Sequence, residues 1–279
     1  MTVPGTFRVA GELEVRRLGY GAMRLCGPGI IGWPDDRGNA LAVLRRAVEL
    51  GVTLIDTADS YGPHVNELQI AEALHPYPDG LVIATKGGLV HDRSSSWPPD
   101  GRPEHLREAC EGSLLRLRLD RIDLYQLHRP DPAVPFEESV GTLRDLRDEG
   151  KIRYVGLSNV SVEQLERARA IVPIASVQNR YSVADRQWED VVEACDRWGI
   201  AFLPWFPLAA GPLTEAGGPL ARVAERHGAT PAQVAIAWLL HRSPVVCPIP
   251  GTSSLAHLEE NVAAGRVELS ADDLRLLAG

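Results

Sequence analysis

The sequence predicts a single α/β domain, residues 1–279, folded as a (β/α)8 TIM barrel with an N-terminal β-hairpin. Three observations predict this fold. Short apolar, β-prone runs alternate with longer amphipathic segments, the barrel part contains eight such runs, and no Gly-x-Gly-x-x-Gly motif follows the first run to indicate a Rossmann fold. With 279 residues, of which 44% are hydrophobic, the chain can bury one core of this size.

The first predicted element is the hairpin, in which residues 7–9 and 12–15 flank the turn-forming pair Ala10-Gly11. We expect the hairpin to close the bottom of the barrel. The barrel strands are predicted at residues 18–20, 53–56, 81–85, 122–127, 154–156, 175–178, 201–204 and 245–249.

Helices are predicted between the strands, because apolar residues there recur at helical spacing. Leu41, Leu44 and Val48 form one such stripe, and Leu143 and Leu146 belong to another. Capping residues and glycines mark the helix boundaries, notably Ser161 with Gln164, Thr230 with Pro231, Gly51 and Gly150.

Composition excludes several functional classes. The net charge is -8 and basic residues are dispersed, so nucleic acid is not an expected partner. The four cysteines are far apart and lack metal-ligand spacing, which predicts free core thiols and no metal site. Neither a signal peptide nor an apolar run of about 20 residues is evident, so we expect a cytoplasmic protein without membrane contact.

Four polar residues stand where predicted strands end. Asp56 ends the second strand and Tyr61 lies in the loop beyond it, whereas Lys86 and His128 follow the third and fourth strands. Active sites of such barrels lie at this end of the strands. Each residue alone also has a structural explanation, as a helix cap, a rim residue, an ion pair or a backbone hydrogen bond. Their convergence favours a functional site, because a buried lysine needs an acidic partner such as Asp56.

The four side chains suit protonation of a carbonyl oxygen. A phenol has a pKa of about 10 in solution, so we expect the Lys86 ammonium to lower the pKa of Tyr61. Asp56 would keep Lys86 charged, and His128 would donate a hydrogen bond to the carbonyl oxygen. None of these groups delivers hydride, so a cofactor is required. A second possibility is a lyase or isomerase in which Lys86 forms a Schiff base.

Four segments resemble the motifs of the aldo-keto reductase superfamily and follow one another in its order. They are residues 56–62 (Asp-Thr-Ala-Asp-Ser-Tyr-Gly), residues 85–86 (Thr-Lys), residues 123–131 (Asp-Leu-Tyr-Gln-Leu-His-Arg-Pro-Asp) and residues 156–159 (Gly-Leu-Ser-Asn). The resemblance implies an NADPH-dependent oxidoreductase that reduces small-molecule aldehydes or ketones, with a catalytic tetrad of Asp56, Tyr61, Lys86 and His128. Tyr61 would be the general acid. The first loop and residues 249–261 are most similar to bacterial members related to pyridoxal reductase, which implies a pyridoxal-like substrate.

The resemblance also implies which residues bind the cofactor, with NADPH expected in preference to NADH. Ser158, Asn159 and Gln178 match positions that bind the nicotinamide carboxamide, and Trp205 stands where a stacking tyrosine is usual. The remaining implied contacts are Gly21, Ala22, Met23, Phe206, Pro207, Leu208, Gly211, Gly251, Thr252, Ser253, His257, Glu260 and Asn261.

The run of residues 251–254 opens a predicted helix and could bind an anion through backbone N–H groups and the helix dipole. The alternative is an ordinary Ser/Thr N-cap. The superfamily often has a lysine at position 251 and an arginine at position 257, where this chain has Gly251 and His257. We therefore expect Thr252, Ser253, backbone N–H groups and a protonated His257 to hold the 2′-phosphate of NADPH.

Two loop tryptophans are candidates for the substrate pocket. Trp33 lies in the loop after the first strand and Trp97 in the loop of residues 87–103. Trp33 has the alternative of packing under the following helix. A different functional class also stays open, because some members of the superfamily are cofactor-binding regulatory subunits with little turnover.

Overall fold

The computed structural model describes residues 5–91, 96–208 and 217–278. Seven parallel strands form one sheet in chain order: β3 (Tyr20–Gly21), β4 (Leu54–Asp56), β5 (Val82–Gly87), β6 (Ile122–Leu127), β7 (Ile152–Ser158), β8 (Ile174–Gln178) and β9 (Ala201–Phe202). The described helices are α1 (Arg37–Glu49), α2 (Val65–Leu74), α3 (Pro103–Leu117), α4 (Phe136–Asp148), α5 (Val162–Arg169), α6 (Glu189–Trp198), α7 (Pro219–His227), α8 (Pro231–Arg242), α9 (Leu255–Ala263) and α10 (Ala271–Ala278). Strands and helices alternate as predicted.

The predicted eighth strand, residues 245–249, closes the barrel without becoming a regular strand. On one side the Cys247 N–H donates to the Phe202 carbonyl at 2.8 Å. On the other side the Gly19 N–H donates to the Pro248 carbonyl at 2.9 Å. Pro248 has no N–H to donate in return, so the ladder is interrupted here. The sheet therefore has seven regular strands, and an extended segment completes the barrel.

The N-terminal hairpin consists of β1 (Thr6–Val9) and β2 (Leu13–Arg16), which pair antiparallel. Val9 and Val15 are buried and point into the barrel. They cluster with inward-facing strand residues, including Leu54, Val82, Ala84, Leu124, Ala175 and Ala201. The hairpin thus closes the bottom of the barrel, as the sequence predicts, and leaves the carboxyl ends of the strands open.

Local capping chemistry sets the helix boundaries as predicted. Ser161 and Thr230 are the N-caps of α5 and α8, and each forms a reciprocal capping box with the glutamine three residues later. Gly51 and Gly150 follow α1 and α4 with φ of +89° and +79°, a conformation that glycine adopts without a steric penalty.

The composition also led to expectations about the cysteines and about membrane-spanning helices. All four cysteines are buried and free, as predicted. Within the described ranges, no helix combines the length and apolar character needed to cross a membrane.

The core contains one tyrosine hydroxyl without a hydrogen-bond partner among the described residues, that of Tyr125 in β6. Burying an unpaired hydroxyl costs roughly 1–3 kcal/mol. Tyr125→Phe is therefore expected to raise the free energy of unfolding by about 1 kcal/mol in urea titrations. Tyr20→Phe is the matched control, because the Tyr20 hydroxyl donates to the Thr252 carbonyl at 2.6 Å and its removal should be destabilising. Equal destabilisation by both substitutions would contradict this prediction.

Candidate active site

A cavity of about 390 Å³ opens at the carboxyl ends of the barrel strands. Asp56, Ser158 and Gln178, the last residues of β4, β7 and β8, contribute to its lining. Tyr61 and His128 line the same cavity. The predicted strand-end residues are thus brought together at the open end of the barrel.

Lys86 is fully buried and lies between an acid and a phenol. Its Nζ donates to Asp56 Oδ2 at 2.7 Å and to the Thr57 carbonyl at 2.7 Å. The same Nζ lies 3.4 Å from the hydroxyl oxygen of Tyr61. Because β4 and β5 are neighbouring parallel strands, Asp56 and Lys86 reach the same edge of the sheet, and the loop after β4 brings Tyr61 back to them. Lys86 therefore joins Asp56 and Tyr61 into one polar unit.

Two glutamines that sequence reasoning did not assign to this unit hold Asp56 in place. Gln126 Nε2 and Gln178 Nε2 donate to Asp56 Oδ1 at 3.2 Å and 2.8 Å. Gln178 was expected to contact the cofactor. Gln126 lies within the motif of residues 123–131, but no role was predicted for it. The position of Gln126 within an apolar strand could have indicated a structural role, because a polar side chain that is buried in a strand needs a hydrogen-bond partner. Asp56 is therefore fixed by three side chains.

The electrostatics differ from the expectation in one respect. Burial opposes charge on Lys86, but Asp56 and Tyr61 outweigh that effect and raise the pKa of Lys86, so it stays an ammonium. Burial also raises the pKa of Tyr61, and the opposing charge of Lys86 does not reverse the shift. Lys86 therefore lowers the pKa of Tyr61 as expected, but the loss of solvation exceeds this effect and the net shift is upward. Tyr61 is a neutral phenol at neutral pH.

His128 lies beside Tyr61 and is neutral. Their ring centroids are 5.7 Å apart and the ring planes meet at 81°. Burial, followed by the charges of Lys86 and Arg129, lowers the pKa of His128 well below its ordinary value. Ser60 Oγ lies 3.4 Å from Nδ1, and donation from this hydroxyl to Nδ1 would leave the ring proton on Nε2. A neutral His128 can then donate one hydrogen bond without adding charge.

The residues expected to bind the nicotinamide form a connected network. Ser158 Oγ donates to the Gln178 carbonyl at 2.7 Å, and Asn159 Nδ2 donates to the His128 carbonyl at 3.1 Å. Trp205 Nε1 donates to Asn159 Oδ1 at 3.3 Å. Asn159 adopts φ of +59°, a left-handed conformation that asparagine tolerates better than most residues other than glycine. All five residues line the cavity, so hydroxyl, amide and indole groups that suit a nicotinamide face one space.

The two tryptophans expected in the substrate pocket lie in different places. Trp97 lines the cavity and meets Tyr61 edge-on, with ring centroids 6.3 Å apart. His91 stacks on Trp97 with centroids 4.0 Å apart. Trp33 is not part of the lining; it is 41% exposed and packs against the guanidinium of Arg37, 4.1 Å from the ring centroid. The structure thus gives Trp97 contact with the cavity and gives Trp33 a local packing role.

The other expected cofactor residues divide into two groups. The cavity is lined by Gly21, Met23, Phe206, Pro207, Leu208 and Gly251. Ala22, Thr252, Ser253, His257, Glu260 and Asn261 are not part of this lining, and Ala22 and Asn261 are buried. Gly211 lies outside the described residues.

The segment of residues 251–254 is held by backbone contacts and ends in a helix cap. Ser254 is the N-cap of α9 and accepts from the His257 N–H at 3.3 Å. Thr252 Oγ1 accepts from the Ser254 N–H at 3.1 Å. The capping explanation is therefore correct for Ser254, while the hydroxyl protons of Thr252 and Ser253 are still able to donate to an anion.

Cavity residues that sequence reasoning missed include two arginines and a leucine. Arg24, Arg129 and Leu89 line the cavity. Arg129 directly follows His128 in the chain, so its place at the cavity could have been predicted. Arg24 lies in the first loop, where no sequence pattern indicates a functional role.

Comparisons with known proteins show the family to which the chain belongs. A model of the aldo/keto reductase family matches residues 17–279. The chain is 45% identical to pyridoxine 4-dehydrogenase of Escherichia coli over 277 residues, covering 96% of each chain. It is 47% identical to an uncharacterised oxidoreductase of Schizosaccharomyces pombe over 268 residues, covering 96% of this chain and 87% of that protein. An aldo-keto reductase of Klebsiella pneumoniae solved with NADPH is 28% identical with a TM-score of 0.82, covering 99% of this chain and 94% of the other. The chain belongs to the aldo/keto reductase family.

Proposed function

We propose that the protein reduces aldehydes or ketones to alcohols with NADPH and that Tyr61 donates the proton. The observation that carries this proposal is the contact of 3.4 Å between the Tyr61 hydroxyl and the Lys86 ammonium at a cavity shared with His128. Membership of the aldo/keto reductase family supports nicotinamide-dependent carbonyl reduction as the reaction. The bound cofactor would supply the hydride that no side chain provides.

The chain's own residues have distinct roles in the proposed reaction. His128 donates a hydrogen bond to the substrate oxygen and orients the carbonyl. As the carbonyl carbon accepts hydride, negative charge develops on the oxygen and the Tyr61 hydroxyl proton transfers to it. Lys86 stabilises the resulting phenolate, and Asp56 keeps Lys86 charged through their contact of 2.7 Å. One hydride and one proton are added, and the phenol is restored by a proton from solvent.

The neutral state of Tyr61 suits the direction of reduction. Reduction begins with a protonated phenol, which the raised pKa of Tyr61 maintains at neutral pH. Alcohol oxidation would begin with the phenolate and so would be favoured by alkaline conditions.

NADPH is the proposed cofactor because hydroxyl and amide groups that suit the nicotinamide line the cavity, and hydroxyl donors that suit a phosphate lie in residues 251–254. Ser158, Asn159 and Gln178 suit the carboxamide, and Trp205 suits stacking on the ring. Thr252 and Ser253, beside the N-terminus of α9, suit an anionic group of the adenosine half. The NADPH complex of the Klebsiella pneumoniae relative is consistent with this choice.

A planar aromatic aldehyde related to pyridoxal is the proposed substrate. Trp97 meets Tyr61 edge-on in the cavity lining, and the ring of His91 stacks on one face of the indole. Such a wall favours flat, partly apolar substrates through stacking. The relative named pyridoxine 4-dehydrogenase, 45% identical, supports the same choice.

Two other functions are less well supported. A Schiff base requires a neutral lysine, whereas the ion pair with Asp56 raises the pKa of Lys86 and keeps it charged. A regulatory subunit with little turnover does not need the buried unit of Asp56, Lys86 and Tyr61, whose assembly carries a desolvation cost. Tight NADPH binding without turnover on a broad aldehyde panel would favour the regulatory function.

The test is carbonyl-dependent oxidation of NADPH by the wild type and by Tyr61→Phe, with pyridoxal in the substrate panel. Loss of the phenolic proton is expected to lower kcat by roughly 10²–10⁴-fold, because general acid catalysis contributes that much. NADPH affinity, followed by fluorescence quenching, should stay within about twofold of the wild type. Undiminished reduction by Tyr61→Phe would rule out Tyr61 as the proton donor.

A further inference from the structure

The segment of residues 251–254 has no fixed positive charge of its own, and its geometry prevents one from being placed at position 251. A Cβ on Gly251 would lie 2.5 Å from the Gly21 carbonyl oxygen, closer than van der Waals contact allows. A Cβ on Gly21 would likewise lie 2.7 Å from the Ile249 carbonyl oxygen. The two chain segments therefore pack backbone against backbone, and a lysine at position 251 cannot be accommodated without displacing one of them.

Arg24 places a positively charged side chain next to Gly251. It lies in the 3-10 turn of residues 22–25 directly after β3, and its Cγ is 3.8 Å from the position that a Cβ on Gly251 would take. The Arg24 side chain is exposed and lines the same cavity as Tyr61. The hydrogen bond from Tyr20 in β3 to the Thr252 carbonyl, 2.6 Å long, holds both segments in a fixed relation.

The guanidinium of Arg24 has no charge partner among the residues that the structure describes. Across residues 5–91, 96–208 and 217–278, no carboxylate or carbonyl pairs with its guanidinium. The other charged residues in the cavity lining are Arg129 and Asp56, and Asp56 is paired with Lys86. An arginine guanidinium presents several N–H donors in a planar fork that matches the oxygens of a phosphate.

We propose that Arg24 binds a phosphate group of the dinucleotide cofactor and supplies the positive charge that Gly251 cannot provide. This assignment rests on the proposed function, because it requires that the cavity bind a nicotinamide dinucleotide. Thr252 and Ser253, which follow Gly251 in the chain, add neutral hydroxyl donors. The phosphate belongs either to the pyrophosphate, which NADH and NADPH share, or to the 2′-position, which only NADPH carries.

The experiment measures NADPH and NADH affinity by fluorescence quenching for the wild type, Arg24→Ala and Arg24→Lys. Loss of a charge-assisted hydrogen bond is expected to weaken binding roughly 10–100-fold in Arg24→Ala, and Arg24→Lys should recover part of the loss. Arg121→Ala is the matched control, because Arg121 is exposed just before β6, at the opposite end of the barrel, and its loss changes the net charge equally. The control should bind both dinucleotides as the wild type does.

The two cofactors distinguish the two phosphates. Weakened binding of both cofactors assigns Arg24 to the pyrophosphate, whereas weakened binding of NADPH alone assigns it to the 2′-phosphate. Unchanged affinity of Arg24→Ala for both cofactors, or an equal loss in Arg121→Ala, would overturn the role of Arg24 and leave the proposed function intact. Absence of dinucleotide binding by the wild type would overturn both. Thermal unfolding of each variant verifies that the fold is retained.

Discussion

Replacing Lys86 with methionine is expected to lower kcat for carbonyl reduction by about 10²–10⁴-fold and to destabilise the fold by roughly 3–5 kcal/mol. Both effects have the same cause. Without the ammonium, Tyr61 has no nearby charge to stabilise its phenolate as the proton leaves. Asp56 meanwhile becomes a buried carboxylate that retains only the amide donors of Gln126 and Gln178. Single-turnover hydride transfer and urea unfolding measure the two effects separately.

A double substitution separates the catalytic effect from the structural one. In Asp56→Asn/Lys86→Met the uncompensated carboxylate is gone, so most of the lost stability should return. Turnover should stay low, because the charge beside Tyr61 is still missing. Wild-type turnover in Lys86→Met would contradict the role of Lys86 in proton transfer. A double variant as unstable as Lys86→Met would contradict the explanation that Asp56 is left unpaired.

The alternation of strands and helices and the positions of the strand-end residues could be predicted, because both depend on short-range patterns. Asp56 ends a buried strand, and parallel neighbours bring strand ends to one edge. The roles of Lys86 and His128 followed from the chemistry of protonating a carbonyl oxygen, and the motif resemblance implied the same four residues. Gln126 was missed because its function depends on a partner 70 positions away in the chain.

The sequence predicted the order of strands and helices better than it predicted which side chains are buried and where backbone segments pack together. In the stripe of Leu41, Leu44 and Val48 predicted for α1, Leu44 is fully buried, whereas Leu41 and Val48 are partly buried and Val48 packs against the core. The buried face is formed by Ala40, Val43, Leu44 and Ala47. Small residues allow the close approach of α1 to its neighbours, which a count of large apolar residues does not reveal.

The first loop shows a second limit of sequence reasoning. The missing lysine at position 251 could be noticed from the sequence, but its steric cause required the positions of the Gly21 and Ile249 carbonyl groups. The placement of Arg24 beside Gly251 depends on closure of the barrel by residues 245–249. Contacts between the two ends of the chain follow from topology and have no local signature.

Replacing Asp59 with asparagine is expected to stabilise the protein at pH 8–9 and to flatten its dependence of stability on pH. Asp59 is buried in the loop between Asp56 and Tyr61, and its Oδ1 has no hydrogen-bond partner among the described residues. Burial and the nearby charge of Glu67 raise the pKa of Asp59 to about 8. In the unfolded chain the pKa of an aspartate is about 3.9.

The sign of the effect follows from these two values. Because the folded pKa is the higher one, the contribution of Asp59 to stability is fully present below about pH 4 and is lost as pH rises through the folded pKa of about 8. The loss amounts to about 1.4 kcal/mol per pH unit within that window. Asparagine has a similar shape and does not titrate, so this part of the pH dependence disappears in Asp59→Asn.

Urea unfolding at intervals from pH 4 to pH 9 measures the difference between wild type and variant at each pH. Asp79→Asn is the matched control, because Asp79 is exposed and its substitution removes the same charge. The backbone bonds from the Asp59 N–H to the Lys86 carbonyl and from the His64 N–H to the Asp59 carbonyl, 3.2 Å and 2.7 Å long, are retained in Asp59→Asn. The loop that carries Tyr61 should therefore keep its conformation, and carbonyl reduction at neutral pH should persist. If the pH slope of Asp59→Asn matches that of the wild type, Asp59 is ionised in the folded protein at neutral pH and must have a partner that compensates its charge.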